Sequence, residues 1–190
     1  MPQPKHVTAL KLPKAPKLDP ATAAYFKLCE EKLGFVPNVL KAYTARPEKL
    51  RNFIATYNTL MLGESKLTKL EREMVAVVVS CANHCYYCLV AHGQAVRRLS
   101  GDPELGEMLT KNYRVAELSP RHRAMLDFAL KLTETPSKVD GVDRAALRKA
   151  GLGEEEYFDL CDVIAFFNAS NRMAIGLDMM PNREYHKSDR

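Results

Sequence analysis

Signals that begin helices recur along the whole chain and constrain the fold most strongly. Asp19-Pro20 pairs a capping carboxylate with a proline at the first helical position. Thr68 and Glu71 have the spacing of a capping box. The following run, 75–79, is rich in β-branched residues, but the box and the segment's length favour a buried helix. We find no convincing alternating strand, so we predict an all-α fold. The predicted helices begin at about residues 20, 37, 47, 69, 83–85, 103, 120, 142 and 154.

The helices are expected to form a single domain that is built from two similar halves. We predict an extended basic arm over residues 1–18, an all-α domain over 19–180 and a tail over 181–190. The segment LTKLEREMVAVVVS in the first half (about 19–112) resembles LSPRHRAMLDFALK in the second (113–180). Both segments combine a capped start with a buried helix. This echo predicts an internally duplicated helical bundle.

Composition and charge exclude several classes of protein. Hydrophobic residues make up 46% of the 190-residue chain and charged residues 27%, as in ordinary globular domains. The net charge is +5, but much of the excess lies in the N-terminal arm, which we expect to be solvated. No basic stripe with aromatic residues indicates nucleic-acid binding. No apolar run reaches the roughly 20 residues of a membrane span, and no signal core is present, so we expect a cytoplasmic protein.

The five cysteines divide into two isolated residues and one cluster. Cys29 and Cys161 each stand alone in an amphipathic pattern, and we predict that both are buried and inert. Cys81, Cys85 and Cys88 lie within eight residues, in the stretch CANHCYYC. Such clustering in a cytosolic chain indicates metal or redox chemistry.

Two metal hypotheses fit the cluster poorly. The Cys-x3-Cys-x2-Cys spacing occurs in radical enzymes with a four-iron cluster, but those cysteines follow a strand of an α/β barrel. A zinc site could use Cys85, Cys88 and His92 with His84 as the fourth ligand. Structural zinc usually takes two separated ligand pairs, and no second Cys/His pair occurs here. A zinc- or partner-binding module without catalytic activity stays an alternative, and we expect no bound metal or cofactor.

A redox couple fits the spacing better. If Cys85 opens a helix, then Cys85, Cys88 and His92 lie on one face. Residues three apart on a helix have Cβ atoms about 5–6 Å apart, which a modest adjustment brings to disulfide distance. The helix N-terminus and a nearby imidazolium both lower the pKa of a thiol. On spacing alone, Glu73 is a first-turn carboxylate that the helix dipole favours.

Taken together, these residues resemble a known family. The pattern Glu73-x11-Cys85-x2-Cys88-x3-His92 resembles the alkyl hydroperoxidase D branch of the carboxymuconolactone decarboxylase superfamily. The segments EREMVAVVVSCANHCYYCLVAHGQAV, GFVPNVLKAY and FFNASNRMA are similar to its peroxidase-related subgroup, and the likeness extends from about residue 15. The resemblance implies an all-helical, internally duplicated fold that forms a homo-oligomer, whether a dimer, a trimer or a hexamer.

The resemblance also implies a reaction. The protein is expected to reduce organic hydroperoxides: Cys88 attacks as a thiolate and becomes a sulfenic acid, and Cys85 resolves it to a disulfide. Glu73 and His92 are expected to form a proton relay. A dithiol such as a lipoylated carrier or a thioredoxin-like protein is expected to reduce the disulfide, without a bound flavin. General thiol–disulfide exchange and a decarboxylase-like lyase activity are the alternatives, although the lyases of this superfamily lack the cysteine pair.

Three further residues belong to the predicted site in supporting roles. Tyr87 stands where the best-defined hydroperoxidases carry a second histidine; its phenol can donate a hydrogen bond but cannot relay protons at neutral pH. Cys81 lies four residues before Cys85 and could act as a competing resolving thiol, although we expect a buried bystander. His84, which directly precedes Cys85, is the fourth ligand of the zinc hypothesis.

Overall fold

The computed structural model describes residues 3–190, which form nine α-helices and no strand, confirming the all-α prediction. The helices are α1 (Pro20–Leu33), α2 (Asn38–Tyr43), α3 (Pro47–Tyr57), α4 (Lys69–Ala82), α5 (Tyr86–Ser100), α6 (Pro103–Asn112), α7 (Pro120–Glu134), α8 (Gly141–Lys149) and α9 (Glu154–Gly176). Short 3₁₀ turns cover Tyr113–Val115, Pro136–Lys138 and Arg183–His186. None of the helices in this described part has both the length and the apolar character that crossing a bilayer requires.

The predicted caps account for the main helix starts. The Asp19 carboxylate accepts a hydrogen bond of 3.0 Å from the backbone N–H of Thr22 at the start of α1. At the start of α4, the Thr68 hydroxyl accepts from the Glu71 N–H (3.1 Å), and the Glu71 carboxylate accepts from the Thr68 N–H (2.8 Å). These bonds satisfy backbone donors that have no partner inside the helix. The predicted starts at residues 20 and 69 are confirmed.

Helix α4 is the centre of the fold. It packs against α5, α7 and α9, and every residue from 71 to 80 is buried. A helix that is surrounded on all sides needs apolar residues around its whole circumference, which explains the run of valines. The few polar side chains on this helix must therefore find partners inside the protein.

The third helix ends differently from the prediction. The sequence predicts one helix from residue 47 to about 62, but α3 ends at Tyr57 and a π-helical turn, Asn58–Leu62, follows. Gly63 allows this turn to close, because a Cβ atom there would lie 2.5 Å from the Thr59 carbonyl oxygen. The buried Arg72 side chain donates to the carbonyls of Leu60 (2.9 Å) and Gly63 (3.0 Å). These bonds come from α4, so local sequence patterns do not reveal them.

Residues 3–9 of the N-terminal arm are paired with the C-terminal region rather than fully solvated, although Pro4, Lys5 and Ala9 are still exposed. The Ala9 N–H donates to the Leu177 carbonyl (3.0 Å), and the Met180 N–H donates to the Val7 carbonyl (3.0 Å). Residues 10–17, by contrast, are exposed. The backbone pairs residues that are far apart in sequence, and the lysine-rich composition gives no sign of this pairing.

The C-terminal segment is held against α5 by one arginine. The buried Arg97 guanidinium donates to the carbonyls of Tyr185 (3.0 Å), Ser188 (3.0 Å) and Asp189 (3.2 Å). Gly106 in α6 leaves room for its stem, since a Cβ atom there would lie 2.6 Å from the Arg97 Cγ. Arg97 therefore fixes the position of the 3₁₀ turn that carries Tyr185.

We expect Arg97→Met to release this C-terminal turn. The change keeps an apolar stem but removes the donors, and each buried group left without a partner costs about 1–3 kcal/mol. The free energy of unfolding should fall by about 2 kcal/mol in urea titrations. Backbone amides of residues 185–189 should exchange faster with deuterium. The neighbouring, exposed Arg98→Met is the matched control; equal exchange in both variants would contradict the assignment.

Candidate active site

The α4–α5 hairpin places the cysteines at a helix N-terminus. His84 turns the chain with a left-handed backbone (φ 54°), and its side chain is exposed. Cys85 is the residue that caps α5, and Cys88 is the third residue within that helix. The Cys85 N–H donates to the Ser80 carbonyl at 2.9 Å, which closes the turn back onto α4. The helix begins at Tyr86, next to the predicted range 83–85.

A carboxylate and an imidazole are paired across α4 and α5. The Nδ1 atom of His92 lies 2.6 Å from Oε2 of Glu73, and the two side chains are only 12% and 9% exposed. Since a carboxylate can only accept, Nδ1 donates the hydrogen of this bond, and Nε2 is the ring nitrogen that remains for other contacts. The Phe167 ring packs edge-on against the His92 ring, with the two ring centroids 4.6 Å apart, and this contact fixes the imidazole plane.

The two thiols of the couple are buried and electrostatically unequal. Cys85 is 1% exposed and Cys88 is 2% exposed. Hydrogen bonding from the Cys88 side chain lowers the pKa of Cys85, and the charge of His92 lowers it further. The same hydrogen bond and burial raise the pKa of Cys88 well above its usual value. The two thiols therefore titrate as a pair: the hydrogen bond between them favours the first ionisation, and burial and the first negative charge oppose the second.

Two polar residues that the sequence analysis did not single out complete the surroundings of the thiols. Ser80 and Asn171 are both fully buried, and the Asn171 amide donates to the Ser80 hydroxyl at 3.0 Å. Asn171 hydrogen bonds act on both thiols in the direction of a lower pKa, and Ser80 acts on Cys88 in the same way. The sequence indicates these two residues only by their type, since each is a polar residue at a position that is buried in the structure.

The supporting residues Tyr87 and Cys81 form hydrogen bonds with different helices. The Tyr87 hydroxyl accepts a hydrogen bond of 3.0 Å from the Val39 N–H and thereby joins α5 to α2. Burial raises its pKa well above the usual value for a phenol, so it stays protonated. The Cys81 thiol donates to the Thr110 carbonyl at 3.4 Å on α6, and burial raises its pKa.

A cavity of about 460 Å³ opens beside this group of residues. Glu73, Cys88 and His92 all line it, whereas Cys85 does not. The structure thus brings three of the four predicted catalytic residues to one cavity, and Cys85, which is buried, does not line it. The walls come from helices α1 to α5, the π-turn, α9 and the C-terminal turn, and they are mostly apolar. They include Tyr25, Leu40, Phe53, Tyr57, Met61, Ala91, Phe166, Phe167 and Tyr185.

Within residues 3–190, no group of three or more His, Cys, Asp or Glu side chains has an arrangement that could hold a metal ion. His84, the fourth ligand of the zinc hypothesis, is exposed, whereas both cysteines are buried.

Comparison with known proteins places this site in a family. The model of the carboxymuconolactone decarboxylase family matches residues 47–131, which include the π-turn, α4 and α5. An uncharacterized peroxidase-related protein from Silicibacter sp. TM1040 has 57% sequence identity and a TM-score of 0.95, over 100% of both chains. A second peroxidase-related protein, described as an alkylhydroperoxidase AhpD core and coming from Ralstonia eutropha JMP134, has 38% identity and a TM-score of 0.93 over 98% of both chains.

The same fold also occurs in a protein that is not described as peroxidase-related. The debrominase Bmp8 shares 18% identity with a TM-score of 0.79, over 94% of this chain and 96% of its own, and shows the common fold alone. Because the two peroxidase-related relatives match the whole length at high identity, the chain belongs to the carboxymuconolactone decarboxylase family, with alkylhydroperoxidase D-like, peroxidase-related proteins as its structural neighbours.

Proposed function

We propose that this protein is a thiol-dependent peroxidase that reduces organic hydroperoxides through Cys85 and Cys88. One observation carries the proposal: a buried thiol pair adjoins an apolar cavity whose inner wall also holds the Glu73–His92 pair. A nucleophile with an adjacent, oriented base is the arrangement that activated-thiol chemistry needs. The peroxidase-related relatives support the same reaction class.

We assign the attack to Cys88, because it lines the cavity and Cys85 does not. Its thiolate attacks one peroxide oxygen; an S–O bond forms, the O–O bond breaks and the departing alkoxide takes a proton to become an alcohol. Cys85 then attacks the sulfenic sulfur, and hydroxide leaves as water after protonation. The peroxide gains two electrons, and the two thiols lose them as a disulfide. His92 supplies and accepts the protons through Nε2, with Glu73 stabilising the imidazolium.

The unequal thiols suit this sequence of steps. In the proposed first step, a proton moves along the hydrogen bond from Cys88 to Cys85, so that Cys88 attacks as the thiolate. Oxidation of Cys88 removes the thiol that most lowers the pKa of Cys85, but the charge of His92 and the Asn171 hydrogen bond still favour the Cys85 thiolate in the second step. The thiol with the lowered pKa is thus the resolving one, and access to the peroxide decides which thiol attacks.

Burial also restricts the reductant that we propose. Cys85 is 1% exposed and Cys88 is 2% exposed, so the rigid surface of a folded protein does not reach their sulfur atoms. A dithiol on a flexible arm, as on a lipoylated carrier, fits the opening better than a thioredoxin-like protein. General thiol–disulfide oxidoreductase activity stays the second candidate, because the lowered pKa of Cys85 is a property such enzymes share.

The proposal includes three expectations about the setting of the enzyme. We propose a homo-oligomer, internal duplication of the helical unit and a cytoplasmic location, where dithiol reductants are available. The packing of α4 on α7 supports the duplication, since each of these helices begins with a side-chain cap and buries an apolar face.

Cys88→Ser should abolish the consumption of cumene hydroperoxide, because Cys88 is the member of the proposed couple that lines the cavity. Cys85→Ser should still react once and stop at a sulfenic acid on Cys88, which dimedone labels. Thiol counting and mass spectrometry before and after one equivalent of peroxide would show both results. Cys161→Ser is the control and should keep full activity. Dimedone labelling of Cys85 in the Cys88→Ser variant would reverse the assigned roles.

Glu73→Gln should lower kcat for cumene hydroperoxide about a hundredfold, in the range of general acid–base contributions. The amide can still accept the Nδ1 hydrogen, so the ring keeps its place, but it cannot stabilise the imidazolium. KM should change little, since the amide has nearly the same shape. The exposed Glu64→Gln serves as the matched control. A full rate in Glu73→Gln would show that the pair is only structural.

Asn171→Leu should raise the pH at which the thiols ionise, because a hydrogen bond that lowers the pKa of both thiols is lost. A raised pKa means less thiolate at neutral pH and therefore slower reaction with peroxide. Ultraviolet thiolate absorbance, followed as a function of pH, measures the shift directly. The exposed Asn52→Leu should leave the curve in place, and an unmoved curve for Asn171→Leu would contradict the role.

A further inference from the structure

The residues at the mouth of the cavity differ sharply from those inside it. Six cavity-lining residues are exposed, and they are three leucines and three cations. The leucines are 39–50% exposed, although large apolar side chains normally avoid water. This mouth consists of Leu28, Lys32, Leu62, Lys69, Arg98 and Leu99.

The positive charge at the mouth is not balanced by nearby acids. Among the described residues, Glu73 is the only carboxylate that lines the cavity, and it is bound to His92 inside. None of the ion pairs found in residues 3–190 includes Lys32, Lys69 or Arg98. Three cations therefore surround an apolar opening with no partner from the chain itself.

Helix α5 connects this mouth to the reactive thiol along one wall. Cys88, Ala91, Ala95 and Arg98 all line the cavity, at spacings that fall on one face of a helix. The backbone positions of Cys88 and Arg98 are ten residues apart, which corresponds to about 15 Å along the helix axis. Arginine side chains lean toward the helix N-terminus, so the guanidinium extends back toward the thiol.

A second wall shows the same order of residue types. On α1, Tyr25, Cys29 and Lys32 line the cavity at helical spacing, and the cation again comes last. The charge of Arg98 also reaches the interior: burial and then the Glu73 charge raise the pKa of Tyr57 and Tyr185, and the Arg98 charge acts in the opposite direction. The guanidinium thus lies close enough to influence both cavity-lining hydroxyls.

We propose that the cavity takes an amphipathic hydroperoxide with an anionic head group, of the class that long-chain fatty-acid hydroperoxides represent. The carboxylate binds at the mouth, with Arg98 as its main partner and Lys32 and Lys69 nearby. The apolar chain lies along the aromatic and aliphatic walls, and the peroxide group reaches Cys88. This inference rests on the proposed peroxidase reaction, which is unchanged: the O–O bond breaks, and the hydroxy acid is released.

The physical basis is complementarity of both charge and apolar surface. A carboxylate that meets a guanidinium forms charge-assisted hydrogen bonds, which are stronger than neutral ones. The exposed leucines can cover the first part of the apolar chain and remove that surface from water. A neutral hydroperoxide uses only the apolar walls, so the free acid should be the better substrate.

The test compares linoleic acid hydroperoxide with its methyl ester, using cumene hydroperoxide as a neutral reference. We expect the wild-type protein to prefer the acid over the ester about tenfold in kcat/KM, as expected for one hydrogen bond to a charged group. Arg98→Gln should bring this ratio close to one, and added salt should reduce it in the wild type because exposed charges are screened. Arg114→Gln, which removes an exposed arginine outside the cavity, should leave the ratio unchanged.

Binding measurements separate this inference from the proposed function. Calorimetry with linoleic acid and the reduced protein requires no turnover. If cumene hydroperoxide is reduced but the acid has no advantage over the ester, the anionic substrate class is wrong and the peroxidase stands. If no peroxide oxidises the thiols, the peroxidase fails; Arg98-dependent binding of linoleic acid would then still support the anion site, and absence of binding would overturn it.

Discussion

A buried carboxylate is the constraint on which the site depends. Removing the charge of Glu73 from water costs several kcal/mol unless a partner compensates it, and here the partner is His92 at 2.6 Å. The pair fixes the register of α4 against α5, because only one alignment of the two helices brings these side chains together. Cys88 lies one turn before His92 on α5, so the same alignment places the proposed attacking thiol beside the proposed base.

The thiols in turn depend on helix α9. The Asn171 amide donates to Ser80, and its oxygen accepts a hydrogen bond of 3.1 Å from Asn83 in the turn before Cys85. Since unsatisfied polar groups are costly in an apolar core, this chain of bonds holds α9 against the α4–α5 hairpin. The interactions that tune the cysteines are therefore also interactions that hold the central helices together.

Sequence patterns predicted those parts of the molecule that depend on local interactions. Helix starts follow from caps a few residues away, and the cysteine–histidine spacing follows from the periodicity of a single helix. The π-turn was missed because it depends on Gly63 and on Arg72, which reaches over from another helix. The pairing of residues 3–9 and the roles of Ser80 and Asn171 were missed for the same reason: each requires segments that are distant in sequence to meet.

The position of Cys88 as the cavity-facing thiol gives the catalytic cycle a physical order. Because Cys88 lines the cavity and Cys85 does not, the proposed peroxide and the proposed dithiol both approach through this opening. In the proposed cycle both contact the couple from the same side, so the alcohol leaves before a dithiol enters. The cycle then alternates between a reduced form that accepts the peroxide and a disulfide form that accepts the dithiol. Three cations at the mouth attract an anionic hydroperoxide in the first half of this cycle and place no like charge against a neutral dithiol in the second.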